Sequence, residues 1–304
     1  MLQQTRMEVV LRFFAPFVAR FPDVRVLAAA SQDEVLAAWS GLGYYRRARM
    51  LHAGALDVVE RFAGVIPTDP KTLLSIAGIG RYTAGAIASI AYGARAAIVD
   101  GNVARVFSRL FAIDAPLASP PLMTAAWREA ERLVASCEDP RAFNQALMEL
   151  GALVCTPQQP ACDRCPLRTH CHAYASDRVQ ELPLPKPRRV ATRMVVALYL
   201  IDDGQGRLLM RRERGALMTS MLHLPHGSTD LLDGRVLPVV EKELIGSFRH
   251  TITTRNIEFR LHRAELRGIA DSGDFEWVDP SDLPRLPHPS YVAKAVAMVC
   301  SSRL

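Results

Sequence analysis

The sequence predicts two domains of different class, an all-α domain followed by an α+β domain. Two observations on periodicity and one on composition predict this. From residue 5 to about 173, apolar residues recur at helical spacing, with Gly and Pro as breaks. From Val195 on, a period of two takes over: Ile257, Phe259 and Leu261 alternate with Glu258, Arg260 and His262, as in a half-buried strand. Between these regions, Glu181-Leu182-Pro183-Leu184-Pro185-Lys186-Pro187-Arg188-Arg189 alternates proline with other residues and reads as an extended, semi-rigid linker. The expected division is therefore a helical domain over 1–173, a linker over 174–192 and an α+β domain over 193–304.

Within the first domain, Arg47 to Phe62 and Pro70 to Leu74 are typical helical segments, and Asn144 to Leu150 repeats its apolar positions at helical spacing up to Gly151. Within the second, Val195 to Ile201 is a buried apolar strand and Arg207 to Arg212 the next, after the turn Asp202-Asp203-Gly204. Tyr291 to Val299 closes the chain as a helix.

The 304 residues suffice for two hydrophobic cores, and the apolar fraction of 49% is ordinary for a soluble globular protein. No apolar run approaches the roughly 18 residues a membrane span requires, and Met1 to Arg6 is not followed by the apolar region of a signal peptide. Net charge is +6, and residues 1–173 (18 basic, 15 acidic) and 174–304 (19 basic, 16 acidic) each carry +3. This balance permits nucleic-acid binding without demanding it. Cys137 and Cys300 have no partner pattern, which fits a reducing, intracellular compartment.

Three segments carry candidate chemistry. Leu73 to Ile87 places Gly78-Ile79-Gly80 between two helical stretches; the glycines allow a tight turn whose backbone N–H groups can meet a phosphate. An ordinary helical hairpin is the plain alternative. Asp100, in Ile98-Val99-Asp100-Gly101-Asn102-Val103, follows an apolar run and precedes a helix. Physics alone favours a helix cap, although a carboxylate there can also stabilise a cationic sugar. Gly41-Leu42-Gly43-Tyr44-Tyr45-Arg46-Arg47-Ala48-Arg49 combines turns, two aromatics able to stack on bases and three arginines able to meet phosphates; a solvated basic helix start is its alternative.

A fourth segment is the most specific. Cys155, Cys162, Cys165 and Cys171 follow the spacing C-x6-C-x2-C-x5-C. Four soft thiolates this close form a cage for a cubane iron–sulfur cluster or for zinc, and the spacing suits two independent disulfides poorly.

In series, Leu2-Gln3-Gln4-Thr5, Gly41-Leu42-Gly43-Tyr44-Tyr45, Gly78-Ile79-Gly80-Arg81-Tyr82-Thr83-Ala84, Asp100-Gly101-Asn102-Val103 and the cysteine loop closely resemble the MutY-type adenine DNA glycosylases of the helix-hairpin-helix, or endonuclease III, superfamily. The resemblance is specific up to Cys171 and looser beyond it. It implies an all-α helix-hairpin-helix glycosylase domain with an iron–sulfur loop at 155–171, followed by a Nudix-like α+β domain for 8-oxoguanine recognition. No Nudix box of the G-x5-E-x7-R-E type is found, so nucleotide-diphosphate hydrolysis is not expected.

Enzymes of this kind flip adenine out of an adenine:8-oxoguanine or adenine:guanine mispair and hydrolyse its N-glycosidic bond in base excision repair. The resemblance assigns Asp100 to stabilising the oxocarbenium-like sugar, with Tyr82 and Asn102 supporting that site and Gln145 lining the adenine pocket. Leu2, Gln3, Gln4, Thr5, Leu42 and Tyr44 match residues that meet or wedge into the duplex; Gly78, Gly80, Arg81 and Thr83 match the hairpin that meets it. The four cysteines would hold a 4Fe-4S cluster with a role in structure and DNA binding. The implied partner is double-stranded DNA holding the mispair. No membrane partner is expected, and the protein is expected to be a monomer in a bacterial cytoplasm, associated with the nucleoid through DNA. Endonuclease III-like lyases carry a lysine where this chain has Tyr82, so a monofunctional glycosylase is expected.

The chain departs from the pattern at three places. The family pattern reads Ser-Glu-Val-Met-Leu-Gln-Gln-Thr, its glutamate being the general acid; this sequence starts at that methionine, so severe loss of base excision is expected of it as given. Glu8 lies two helical turns too far on to substitute. Ala77 stands where the hairpin usually carries proline. Ile252-Thr253-Thr254 stands where the lesion-reading loop often has Phe-Ser-His, so the histidine is gone while Thr253 keeps a hydroxyl. The alternatives are a lesion-binding relative without catalysis, an endonuclease III-like glycosylase/lyase, and a zinc-bound structural protein.

Overall fold

The computed structural model describes the chain except residues 4, 6, 187–190, 215–217, 229–235, 268–274 and 302–304, and the side chains at 300 and 301. In chain order the helices are α1 (Met7–Arg20), α2 (Val24–Ala29), α3 (Gln32–Ala38), α4 (Arg46–Phe62), α5 (Pro70–Leu73), α6 (Arg81–Ala86), α7 (Gly101–Leu110), α8 (Pro120–Ser136), α9 (Pro140–Glu149) and α10 (His172–Ala175). Strands β1 (Thr192–Leu200), β2 (Leu208–Arg212), β3 (Leu222–His223), β4 (Val239–Ile252), β5 (Arg255–Leu266) and β6 (Phe275–Val278) follow, and α11 (Ser290–Ser301) comes last. No described helix is long and apolar enough to cross a membrane.

The chain forms two compact units, one of residues 1–59 with 189–304 and the other of residues 60–188. The expected domains ran consecutively; in the structure the first three helices share a core with the later strands. The reason is apolar area. Phe17, Leu36 and Trp39 bury themselves in one cluster with Val196, Leu198, Phe259, Leu261 and Tyr291, each large side chain adding about 1.5–3 kcal/mol. Polar ties reinforce this core: Ser40 and Tyr45 donate their hydroxyls to the carbonyl of His288 at 3.0 and 3.2 Å, and Arg212 reaches Asp33 at 2.8 Å.

In this first unit β1 pairs parallel with β5, and β5 pairs antiparallel with β4; a second sheet has the order β3-β2-β6. The predicted alternation fixes the register. Ile257, Phe259 and Leu261 are fully buried, and a one-residue slip would turn all three toward solvent.

In the second unit α7 is the central element: every residue from Val103 to Arg109 is buried. Ala126, Ala130 and Val134 of α8 pack into the same cluster as Val103, Ala104 and Phe107. Two helix starts share one sequence device, an aspartate cap followed by proline at the first helical position. Asp69 accepts from the N–H of Thr72, and Asp139 from that of Ala142.

The helix predicted up to Gly151 runs as α9 to Glu149 and continues as a π-helical turn, Leu150–Val154. The expected linker is in its first part no free spacer. Leu182 is buried, its carbonyl accepts from Arg109, and the Leu184 N–H donates to the carbonyl of Ala115. Arg178 pins the same stretch through Asp114 and Glu181. Arg178, Leu182 and Leu184 hold this segment against the helical unit, which alternating prolines alone do not foretell.

Candidate functional site

Asp100 is built as the cap of α7. Its Oδ1 accepts from the Val103 N–H at 2.8 Å, and its Oδ2 receives the Asn102 Nδ2–H at 3.3 Å. The cap reading is the one the geometry shows: the bond fixes the carboxylate and leaves Oδ2 with a single side-chain donor. Asn102 is itself positioned, because its Oδ1 accepts from Arg105 Nη2 at 2.8 Å. Tyr82, on α6, is half-buried and its hydroxyl donates to the Met148 sulfur at 3.6 Å. Burial pushes the Tyr82 phenol up from its ordinary value, and the charge of Asp100 pushes it further. The phenol thus stays protonated beside the carboxylate. Gln145 lies on α9 one turn before Met148, exposed, with its amide donating to the Arg141 carbonyl at 3.3 Å.

The hairpin joins α5 to α6. Gly78 adopts φ +77°, which favours glycine, and Gly80 starts α6 without any side-chain cap. Thr83 is half-buried on α6. Arg81 lies over the Trp127 ring at 3.9 Å and pairs with Glu131 at 2.5 Å.

Sequence reasoning missed Arg105 and Arg109. Arg105 Nε donates to the Cys155 carbonyl at 2.8 Å and Nη2 to the Gly151 carbonyl at 2.7 Å. Arg109 Nη1 reaches the Cys155 sulfur at 3.3 Å and the Thr156 carbonyl at 2.7 Å, while Nη2 reaches the Pro157 carbonyl at 3.1 Å. Two arginines four residues apart on an otherwise apolar helix were the available signal. They bind the cysteine loop to the helix that carries Asp100 and Asn102.

Cys155, Cys162, Cys165 and Cys171 carry free thiols, and all four line one hollow together with Arg109, Arg168 and Tyr174. Among the described residues, no three His, Cys, Asp or Glu side chains lie close enough to hold one ion. Thiols spread over the walls of one hollow fit a group larger than a single ion, and the soft donor set fits iron–sulfur chemistry. Burial pushes the Cys162 thiol up, and the neighbouring cysteines add to this.

In the other unit, Arg47 gathers the segments that the resemblance assigns to the duplex. Its guanidinium donates to the carbonyls of Met1 (2.7 Å), Gln3 and Gly43 (3.3 Å) and to the Thr5 hydroxyl (2.8 Å). It also lies over the Trp39 and Tyr44 rings at 5.5 and 5.4 Å. Leu2 and Tyr44 are each 57% exposed, whereas Leu42 is buried. Gln4 lies outside the described residues. Tyr44 adopts φ +49° between Gly43 at +69° and the helix start, so the turn that presents its ring is a backbone device.

At the β4–β5 turn, Ile252 is buried and faces the core, while Thr253 (φ +56°) and Thr254 form the exposed tip. Thr253 Oγ1 donates to the Ile252 carbonyl at 2.7 Å, which leaves its oxygen free to accept.

The helical hairpin and the aspartate-capped helix that follows it lie within residues 1–132, which match the model of the HhH-GPD superfamily base excision DNA repair protein. The chain is similar to adenine DNA glycosylases. It is 48% identical over 174 residues to that of Homo sapiens, covering 57% of this chain and 32% of the relative. It is 36% identical over 190 residues to that of Buchnera aphidicola subsp. Schizaphis graminum, covering 62% and 54%. A solved thermostable thymine-DNA glycosylase superposes with a TM-score of 0.51 at 26% identity, over 58% of this chain and 80% of that one. The chain spans about a third to a half of the length of these curated relatives.

Proposed function

We propose that the chain is a monofunctional adenine DNA glycosylase that hydrolyses the N-glycosidic bond of adenine mispaired with 8-oxoguanine or guanine in double-stranded DNA. The observation that carries the reading is the Asp100 carboxylate. It is fixed by a backbone N–H on one oxygen, steadied by Asn102 on the other, and has the neutral Tyr82 phenol as its neighbour. A fixed carboxylate beside an extruded nucleotide stabilises the positive charge that develops on the sugar as the C1′–N bond breaks. Water then supplies the hydroxyl to C1′. The departing base takes a proton from a general acid, a role the family pattern gives to the glutamate standing before its Val-Met-Leu-Gln-Gln-Thr run.

Tyr82 offers no amine for a Schiff base, which supports hydrolysis without strand cleavage. Borohydride should therefore trap no covalent DNA adduct. The exposed Leu2 and Tyr44, organised by Arg47, would probe the duplex. The Thr253–Thr254 tip would meet the oxidised base in place of the family's histidine, with Ile252 serving as its buried anchor. Cys155, Cys162, Cys165 and Cys171 would hold a 4Fe-4S cluster, which when bound orders the loop and supplies no bond-breaking step.

The test is Asp100→Asn, measured in the full-length protein. Asparagine keeps the cap and removes the charge. Single-turnover adenine release should fall at least about a hundredfold, the order of a removed electrostatic stabiliser, with affinity for the mispaired duplex within a few-fold. Release within a few-fold of the parent would rule the assignment out.

A further inference from the structure

A second concavity in the helical unit lies apart from the Asp100 carboxylate and from the thiol hollow. It has a volume of about 400 Å3 and is walled by α5, α6, residues 95–97 and α8. Its close floor depends on Gly85: a Cβ there would collide with the Ala97 carbonyl oxygen, so only glycine lets α6 lie against that stretch.

Three cations, Lys71, Arg81 and Arg95, line the groove against one carboxylate, Glu131. Arg81 is already committed, sandwiched on the Trp127 indole and paired with Glu131, yet its side chain is half exposed. The outer face of its guanidinium is therefore a flat cationic surface backed by an aromatic ring. Lys71 and Arg95 are exposed, and neither side chain makes a hydrogen bond or ion pair among the described residues. Asp69, beside Lys71, is engaged in capping Thr72 through both its N–H and its hydroxyl. The groove thus offers two exposed cations, of which Lys71 interacts with Asp69 through charge alone, and one stacking plane within a volume at the small end for ligand sites, about 300–1,000 Å3.

We propose that this groove binds a single phosphate-bearing nucleotide, its base stacked on the Arg81 guanidinium and its phosphate held by Lys71 and Arg95. Guanidinium and ammonium groups recognise phosphate oxygens, and a base stacks on a guanidinium–indole ladder irrespective of its identity. The groove holds one nucleotide and not a duplex, so the occupant is a free nucleotide or an unpaired unit of a strand.

The experiment is calorimetric titration of the chain as it stands with adenosine 5′-monophosphate, adenosine, inorganic phosphate and an undamaged duplex, repeated on the Lys71→Glu/Arg95→Glu double variant. Both side chains are exposed, so neither substitution empties the core; a thermal melt checks this. The monophosphate is expected to bind more tightly than adenosine or phosphate alone and to lose at least about tenfold in the double variant, the effect of removing one charge-assisted contact or more. A single-stranded trinucleotide losing affinity in parallel would assign the occupant to an unpaired strand, and its indifference to the free nucleotide; either supports the site. Absent monophosphate binding, or binding equal in parent and variant, overturns the proposal. Duplex affinity falling in step with monophosphate affinity also overturns it, because the groove would then be part of the duplex-binding surface.

Discussion

Arg105 donates its Nε–H to the backbone carbonyl of Cys155 at 2.8 Å. The first cysteine of the loop is thereby fastened to the helix that Asp100 caps. The same guanidinium holds Asn102 and Gly151, so one buried cation organises both the carboxylate site and the thiol hollow. Arg105→Met keeps bulk and removes all three bonds, leaving the carbonyls of buried Gly151 and half-buried Cys155 without this donor. Losses of this kind cost about 2–4 kcal/mol. Thermal melting should shift down accordingly, and visible absorbance of the iron-loaded protein should be lost faster in air than in the parent. An unchanged melt would show that the carbonyls find other donors.

Gly151 makes the companion prediction. A Cβ at this position would stand 2.8 Å from Asn102 Cβ and 3.0 Å from the Asn102 carbonyl carbon and oxygen. Neither neighbour is the far end of a flexible side chain, so the backbone itself must move. Gly151→Ala should destabilise the helical unit by about 1–3 kcal/mol, the usual cost of overpacking. It should also weaken the Asn102 contact to Asp100, visible as a drop in adenine release larger than the drop in duplex affinity. Equal stability in chemical denaturation would show that α7 and the π-helical turn can separate without loss.

Much of this arrangement was legible in the residues. Asp69-Pro70, Asp139-Pro140 and Asp100-Gly101 announce helix starts through short-range chemistry, and Ile257, Phe259 and Leu261 announce a strand face. The four cysteines announce a loop by spacing alone. What was not legible depends on chain segments far apart. Arg105 and Arg109 look like exposed helix arginines until the loop 46 residues beyond each supplies its carbonyls and sulfur. Ile252 looked like a lesion contact, but the parity of β4 and β5 turns it inward and leaves the tip to Thr253 and Thr254. The merger of the first helices with the later sheet is likewise a property of matching apolar faces, to which local periodicity is blind.

Arg47 is expected to act through order rather than through core stability. Its guanidinium collects carbonyls from Met1, Gln3 and Gly43, and it lies over two rings. Arg47→Ala should leave the cooperative melt nearly unchanged. Amide exchange at residues 1–5 and 42–44 should become much faster, because the group joining the two segments is gone. The Michaelis constant for mispaired duplex should rise more than turnover falls. Unaltered exchange at both segments would mean that each holds its conformation unaided.

His288 makes the unit of residues 1–59 and 189–304 sensitive to acid. Its carbonyl accepts from Ser40 and Tyr45, and its Nδ1 lies 2.9 Å from the Leu286 carbonyl. Burial lowers its pKa from the ordinary 6.5, more than the Leu286 carbonyl raises it. His250 is lowered as well, first by burial and then by Lys294. A histidine whose folded pKa is depressed takes up its proton more readily when unfolded. Stability is therefore fully present above about pH 6.5 and declines as pH falls through the window between that value and the lower folded ones. The melting temperature should drop as pH falls below 6.5, and His288→Gln should flatten part of that drop. A melting temperature that rose on acidification through this window would contradict the neutral state of both imidazoles, His288 buried and His250 half-buried.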